Sequence, residues 1–191
     1  MLNLGKDVNA PLISNRQNYV YTLKEDVIVK EMAPSVFSYL RRLDDINDDE
    51  IRDSLNPEKN LSALFKAGES QGKSGSFFFF SGDKRFIIKT MTDSDMSAFK
   101  KIFRSYVTHV SKNPDSLLAR IYGVYTIKMQ DMEPINVILM ANTKRTFDDS
   151  TTLLYIFDLK GSLVNRETKA KKGKELSNKA CLKDWNLLKL K

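Results

Sequence analysis

Two short apolar runs separated by four turn-forming residues constrain this chain more than any other feature. Phe77 to Phe80 and Arg85 to Thr90 read as strands, with Ser81-Gly82-Asp83-Lys84 between them. Phe and Ile suit an extended backbone and Ser, Gly and Asp suit a tight turn, so the segment predicts a β-hairpin. The period then changes. Met96, Phe99, Ile102, Phe103, Tyr106, Val107 and Val110 recur at helical spacing, which predicts a helix over 94–111. Asp93 or Ser94 would cap that helix and Pro114 would stop it. Two more strands are expected at Ile121–Met129 and Ile135–Met140, joined by a turn at Gln130–Pro134. A last strand, Leu153–Leu159, leads to a turn at Gly161.

Before the hairpin, Met32, Val36, Phe37, Leu40 and Leu43 share one helical face. Pro34 sits near the first turn, and Arg41 and Arg42 lie in the last, where cations suit the helix dipole. A second short helix is expected at 48–55, capped by Asn47 and ended by Asn56-Pro57. Residues 1–24 are polar and weakly patterned and read as a loose leader. The lysine-rich KAKKGK run at 169–174 reads as a mobile loop. The order of elements predicts an α+β fold, an antiparallel sheet with helices packed on it.

Composition narrows the chemistry. One cysteine, Cys181, excludes an internal disulfide and a cysteine-based zinc site. The single histidine, His109, leaves little scope for a Ser/His/Asp triad and reads as structural. No run of about 18 apolar residues occurs, so no membrane-spanning helix is expected. The N-terminus has no apolar signal core and reads as cytosolic. The net charge of +7 points to an anionic partner: nucleic acid, an acidic membrane surface or a phosphorylated small molecule. Nucleic acid is set aside, because exposed aromatics interleaved with basic residues are lacking.

Gly72-Lys73-Ser74 invites a P-loop reading and does not support one. That pattern places a glycine at position 67, where Ala67 stands, and it needs a helix directly after the loop. Four phenylalanines follow instead. A kinase-type loop fits better: a glycine-rich turn covers nucleotide phosphates, and a lysine on a following strand holds them. Lys89 has that position. In RFIIK, Phe86 and Ile88 face one side of the strand and Ile87 and Lys89 the other. The plain alternative is a strand-end lysine reaching solvent beside Thr90. Asp95 is the only acid between Ser94 and His109, and either partners the lysine or complements the helix dipole.

GKSGSFFFFSGDKRFIIKT followed by FDLKGSLVNR resembles the phosphatidylinositol phosphate kinase family. VKEMAPSVFSYLRRL resembles that family's opening helix, VILMAN (137–142) its hinge strand, and CLKDWNLL (181–188) a segment after its lysine-rich loop. The likeness covers roughly residues 25–188. It implies a protein-kinase-like amino-terminal lobe over about 25–145 and the start of a lipid-binding lobe over about 146–191, with the rest of that second lobe absent.

By the same resemblance, Gly72, Ser74, Gly75 and Ser76 would cover the ATP phosphates and Lys89 would hold them. Met140 and Asn142 would lie near the adenine. Lys160 would lie near the lipid headgroup phosphate, and Arg166 would help place the segment that selects substrate, with Asp95 and Asp158 in supporting roles. Ala98 or a neighbour stands where many relatives carry a glutamate. The catalytic-loop aspartate, the aspartate that binds magnesium and the activation loop are expected beyond residue 191, so the chain should bind far better than it catalyses. The implied reaction is ATP-dependent phosphorylation of the inositol ring of a phosphatidylinositol phosphate. It would take place at the inner face of an anionic membrane, with room for a homodimer. A non-catalytic module that binds phosphoinositide or a kinase partner is the rival reading. The remaining residues take plain roles: the Phe77–Phe80 run is core and site wall, Cys181 a small buried residue, and Trp185 an anchor for the C-terminal segment.

Overall fold

The computed structural model describes residues 18–23, 27–61, 76–143, 154–170, 176 and 180–190. The chain divides into two compact units, Met1–Thr143 and Lys144–Lys191.

The first unit is built on a six-stranded antiparallel sheet of β1 (Tyr19–Leu23), β2 (Val27–Glu31), β3 (Phe78–Phe80), β4 (Phe86–Met91), β5 (Ile121–Met129) and β6 (Ile135–Ala141). The strands lie side by side in the order β1-β2-β5-β6-β4-β3. The expected hairpin is β3-β4, with Phe78 opposite Lys89 and Phe80 opposite Ile87. Tyr19–Leu23 departs from the expectation of a loose leader by pairing along its whole length with β2. All five of its residues are exposed, so no buried alternation marks it as a strand.

Helices α1 (Pro34–Leu43), α2 (Asp48–Ser54) and α3 (Asp93–Lys112) accompany the sheet, and residues 57–61 are helical as well. Proline begins α1 at a position where its missing N–H costs nothing. The cap of α3 is Thr92, one residue before the expected pair. The Thr92 hydroxyl accepts from the Asp95 amide at 3.0 Å, and the Asp95 carboxylate accepts from the Thr92 amide at 3.2 Å. A side chain just before the first turn reaches the free N–H groups better than one inside it. Asn47 and Glu50 make the same reciprocal pair at the start of α2.

One face of the sheet takes α1 and α3. Val36 and Phe37, Phe99, Phe103 and Val107, and Val124 and Ile138 form this larger core. Fully burying a phenylalanine such as Phe37 contributes about 2–3 kcal/mol, so this core carries much of the stability. The opposite face holds a smaller core of Ile46, Phe86, Tyr122 and Leu139. Arg41 lies in the last turn of α1 as expected, and it is buried. It donates to the Tyr122 carbonyl at 2.8 Å and pairs with Asp48 at 3.0 Å. His109 joins the end of α3 to the next loop through a 2.8 Å hydrogen bond with the Ser116 hydroxyl.

In the second unit β7 (Ile156–Phe157) pairs in parallel with β8 (Cys181–Leu182), and α4 (Asp184–Leu188) follows. Of the strand expected over Leu153–Leu159, Leu153 lies outside the described residues, and within 154–159 only Ile156–Phe157 pair, with two residues of β8. Cys181 is exposed, contrary to the expected burial. Its neighbour Leu182 takes the inward position. Trp185 is only partly covered, and its amide donates to the Arg166 carbonyl at 2.9 Å.

Candidate functional site

The register of β3, β4 and β6 puts two of the predicted residues, Lys89 and Met140, on one face. Phe78 opposes Lys89, which opposes Ile138; Phe80 opposes Ile87, which opposes Met140. Cross-strand partners share a face and successive residues alternate. Lys89 therefore shares a face with Phe78, Phe80, Ile87 and Met140, while Phe86 and Ile88 turn to the smaller core. The helix-bearing face, marked by buried Ile138, is the face of Lys89.

Lys89 is half-buried, and its ammonium lies 5.5 Å from the Phe78 ring centroid, within cation–π range. Among the described residues no carboxylate pairs with it. Asp95 is committed to the cap of α3, where its Oδ2 accepts from Thr92. The result is an apolar platform with one cation at the end nearer Ser76. Ser76 is buried just before β3. Gly72, Ser74 and Gly75 lie outside the described residues.

At the other end of the platform Asn142 is fastened to the hairpin. Its amide donates to the Arg85 carbonyl at 2.9 Å and its Nδ2 to the Lys84 carbonyl at 2.8 Å. The hairpin turn is itself held from two sides. Asp83 Oδ1 accepts from the Ser81 hydroxyl at 2.6 Å, the Ser54 hydroxyl at 2.7 Å and the Arg85 amide at 3.0 Å. Burial pushes the Asp83 carboxyl up, and these three donors more than offset it, leaving its pKa below the ordinary value. Buried Asn60 accepts from the Gly82 amide at 2.5 Å. Sequence reasoning missed the supports from Ser54 and Asn60, since these join residues on separate elements.

The second unit holds the other predicted set. Arg166 is buried, and its guanidinium is taken up by two carboxylates. Nε donates to Asp184 Oδ2 at 2.8 Å, Nη1 to Asp158 Oδ2 at 3.3 Å, and Nη2 to the Asp158 carbonyl. Asp184 Oδ1 accepts from the backbone amides of Lys160 at 3.0 Å and Gly161 at 2.9 Å. The Arg166 bond is the foremost cause of the Asp184 pKa lying at about 2, against 3.8 for a free side chain. The same bond raises Arg166. Lys160 itself extends into solvent, 64% exposed, with Nζ 3.9 Å from Asp158 Oδ2. Gly161 adopts φ +65°, a left-handed conformation that suits glycine. Lys169 is described and pairs with Glu167 at 3.9 Å, whereas 171–174 lie outside the described residues. Asp184 was absent from the sequence-based site. The one available signal was its place in the CLKDWNLL segment.

An α+β unit whose antiparallel sheet carries a strand lysine on its helix-bearing face is consistent with a kinase-like amino-terminal lobe. Comparison with known proteins is specific. Residues 59–191 match the family model of phosphatidylinositol-4-phosphate 5-kinase. A phosphatidylinositol 4-phosphate 5-kinase of Schizosaccharomyces pombe is 38% identical over 144 residues, covering 75% of this chain and 18% of that protein. One from Plasmodium falciparum is 37% identical over 153 residues, covering 73% and 9%. The chicken (Gallus gallus) phosphatidylinositol 5-phosphate 4-kinase type-2 alpha is 35% identical over 149 residues, covering 77% and 35%. The chain belongs to the phosphatidylinositol phosphate kinase family. It spans between about a tenth and a third of the length of these three relatives.

Proposed function

We propose that this chain provides the nucleotide-binding part, and the beginning of the headgroup-binding part, of an ATP-dependent phosphatidylinositol phosphate kinase. The observation that carries the reading is the platform of Phe78, Phe80, Ile87 and Met140 with Lys89 as its cation. An apolar floor suits a purine, and an ammonium at one end suits the phosphates it bears. In this reading Gly72, Ser74, Gly75 and Ser76 close over the phosphates, Lys89 holds them, and Met140 and Asn142 border the adenine.

Lys160 contacts the headgroup phosphate, and the lysines at 169–174 add attraction to an anionic bilayer, each worth about 1 kcal/mol near such a surface. Arg166 acts one step back, through the carboxylates it holds. The substrate class is a phosphatidylinositol monophosphate: the relatives are named for both 4-phosphate 5-kinase and 5-phosphate 4-kinase activity. Bound together with ATP, magnesium would supply charge neutralisation at the phosphates. Among the described residues no group of three His, Cys, Asp or Glu could hold a metal ion. Among the same residues no helix is long and apolar enough to cross a membrane. Binding to the bilayer is assigned to the charge of Lys160 and the lysines at 169–174, at the inner membrane face.

The test is affinity for a non-hydrolysable ATP analogue in the wild type and in Lys89→Met. Loss of one charge-assisted phosphate contact should weaken binding about tenfold or more with the fold intact. Equal affinity in both proteins, or no binding by either, refutes the assignment.

A further inference from the structure

We propose that Asp184 is a positioning residue for the headgroup lysine, holding the Lys160–Gly161 turn so that the Lys160 ammonium is presented outward. The inference rests on the reading of Lys160 as the headgroup contact. Asp184 is buried, and both of its oxygens are committed. Oδ1 takes the two consecutive amides of Lys160 and Gly161 at 3.0 and 2.9 Å, and Oδ2 takes Arg166 Nε at 2.8 Å. Arg166 in turn binds Asp158 on the other side of the same turn. One carboxylate and one guanidinium thus fix the backbone on both sides of Lys160, and its side chain alone is left 64% exposed.

The amides of Lys160 and Gly161 already have an acceptor and are not free to bind phosphate, so headgroup selection in this turn falls to the Lys160 side chain. Gly161, at φ +65° and with nothing within 4 Å of the place a Cβ would occupy, is glycine for its backbone conformation and not for close approach of a neighbour. The carboxylate of Asp184 is specifically required. Asparagine has the same shape but one acceptor oxygen. Whichever way it is turned, its NH2 group faces either the two amides or the guanidinium, and one half of the clasp is lost.

The full chain and its Lys160→Ala, Asp184→Asn and Arg166→Lys variants are compared by vesicle co-sedimentation. One vesicle set carries phosphatidylinositol 4-phosphate in phosphatidylcholine, and the other carries phosphatidylserine at equal total charge. Lys160→Ala should lose the preference for the phosphorylated headgroup. Asp184→Asn should lose it to a similar extent while keeping salt-sensitive binding to phosphatidylserine vesicles and a cooperative thermal unfolding transition, which loss of structure would abolish. If Lys160→Ala keeps the preference, the reading of Lys160 fails and the inference falls with it. If Lys160→Ala loses the preference and Asp184→Asn keeps it, only the inference is overturned. Should Asp184→Asn lower both kinds of binding, Arg166→Lys decides. It keeps the charge, but an ammonium cannot bridge both carboxylates as the guanidinium does. Loss of the preference alone in that variant supports the inference, and an unchanged preference overturns it.

Discussion

Replacing Asn60 by alanine should cost about 3 kcal/mol of stability in the first unit, and the figure comes from three hydrogen bonds. Asn60 Nδ2 donates to the Ser54 carbonyl at 2.8 Å and the Asn56 carbonyl at 2.7 Å, and its Oδ1 accepts from the Gly82 amide at 2.5 Å. The side chain is 1% exposed, so alanine leaves these groups without a partner and opens space beside them. An orphaned buried group costs about 1–3 kcal/mol, and the two partly buried bonds sit at the lower end because water can reach them. Denaturant unfolding at constant m-value measures the loss, and hydrogen exchange at Gly82 localises it. Because the Gly82 turn joins β3 to β4, the variant should also bind the ATP analogue less tightly. A loss below about 0.5 kcal/mol, the range of neutral surface changes, would refute the view that Asn60 anchors the turn.

Other consequences concern both units. Asp184 has its pKa depressed from 3.8 to about 2, so its stabilising effect is full above 3.8 and is lost as pH falls through about 2. Fluorescence of Trp185, the only tryptophan, should change over that window in the wild type and not in Asp184→Asn. Gly161→Ala should destabilise the second unit by about 1 kcal/mol through backbone strain alone, with Gly161→Asn milder, both measured by thermal unfolding. Gly123 sits at an irregularity in β5, and a Cβ there would lie 2.5 Å from the Tyr125 hydroxyl oxygen and 2.6 Å from its ring. Gly123→Ala should cost about 1–3 kcal/mol, and Gly123→Ala with Tyr125→Ala should recover the part due to the clash.

The hairpin and α3 were legible because each carries its period in consecutive residues: FFFF and RFIIK around a turn, then seven apolar residues at helical spacing. That local pattern also put Lys89 opposite Phe86 and Ile88 correctly. Edges and short pairings were not legible. YVYTL buries nothing and is a strand only because β2 lies beside it. LLYIFDL has strand composition across seven residues, and of its described residues two pair. The contacts that hold the candidate residues were the hardest to foresee. Asp184 lies 24 residues from the Lys160 amide it accepts, and Ser54 lies 29 from Asp83, so no local spacing signals either bond. The two carboxylates that hold Arg166, Asp158 and Asp184, were equally hidden as a pair, since they flank it in sequence at unrelated distances. Polar side chains folded back onto backbone leave no period in a sequence.

Photolabelling with 8-azido-ATP, followed by peptide mapping of the labelled full chain, tests the nucleotide platform most directly. The reagent reacts from the adenine ring, so the label should fall in peptides that contain Ile87 or Met140 and Asn142, and excess ATP should abolish it. Labelling elsewhere in the chain, or labelling at these peptides that ATP does not compete away, would contradict the account.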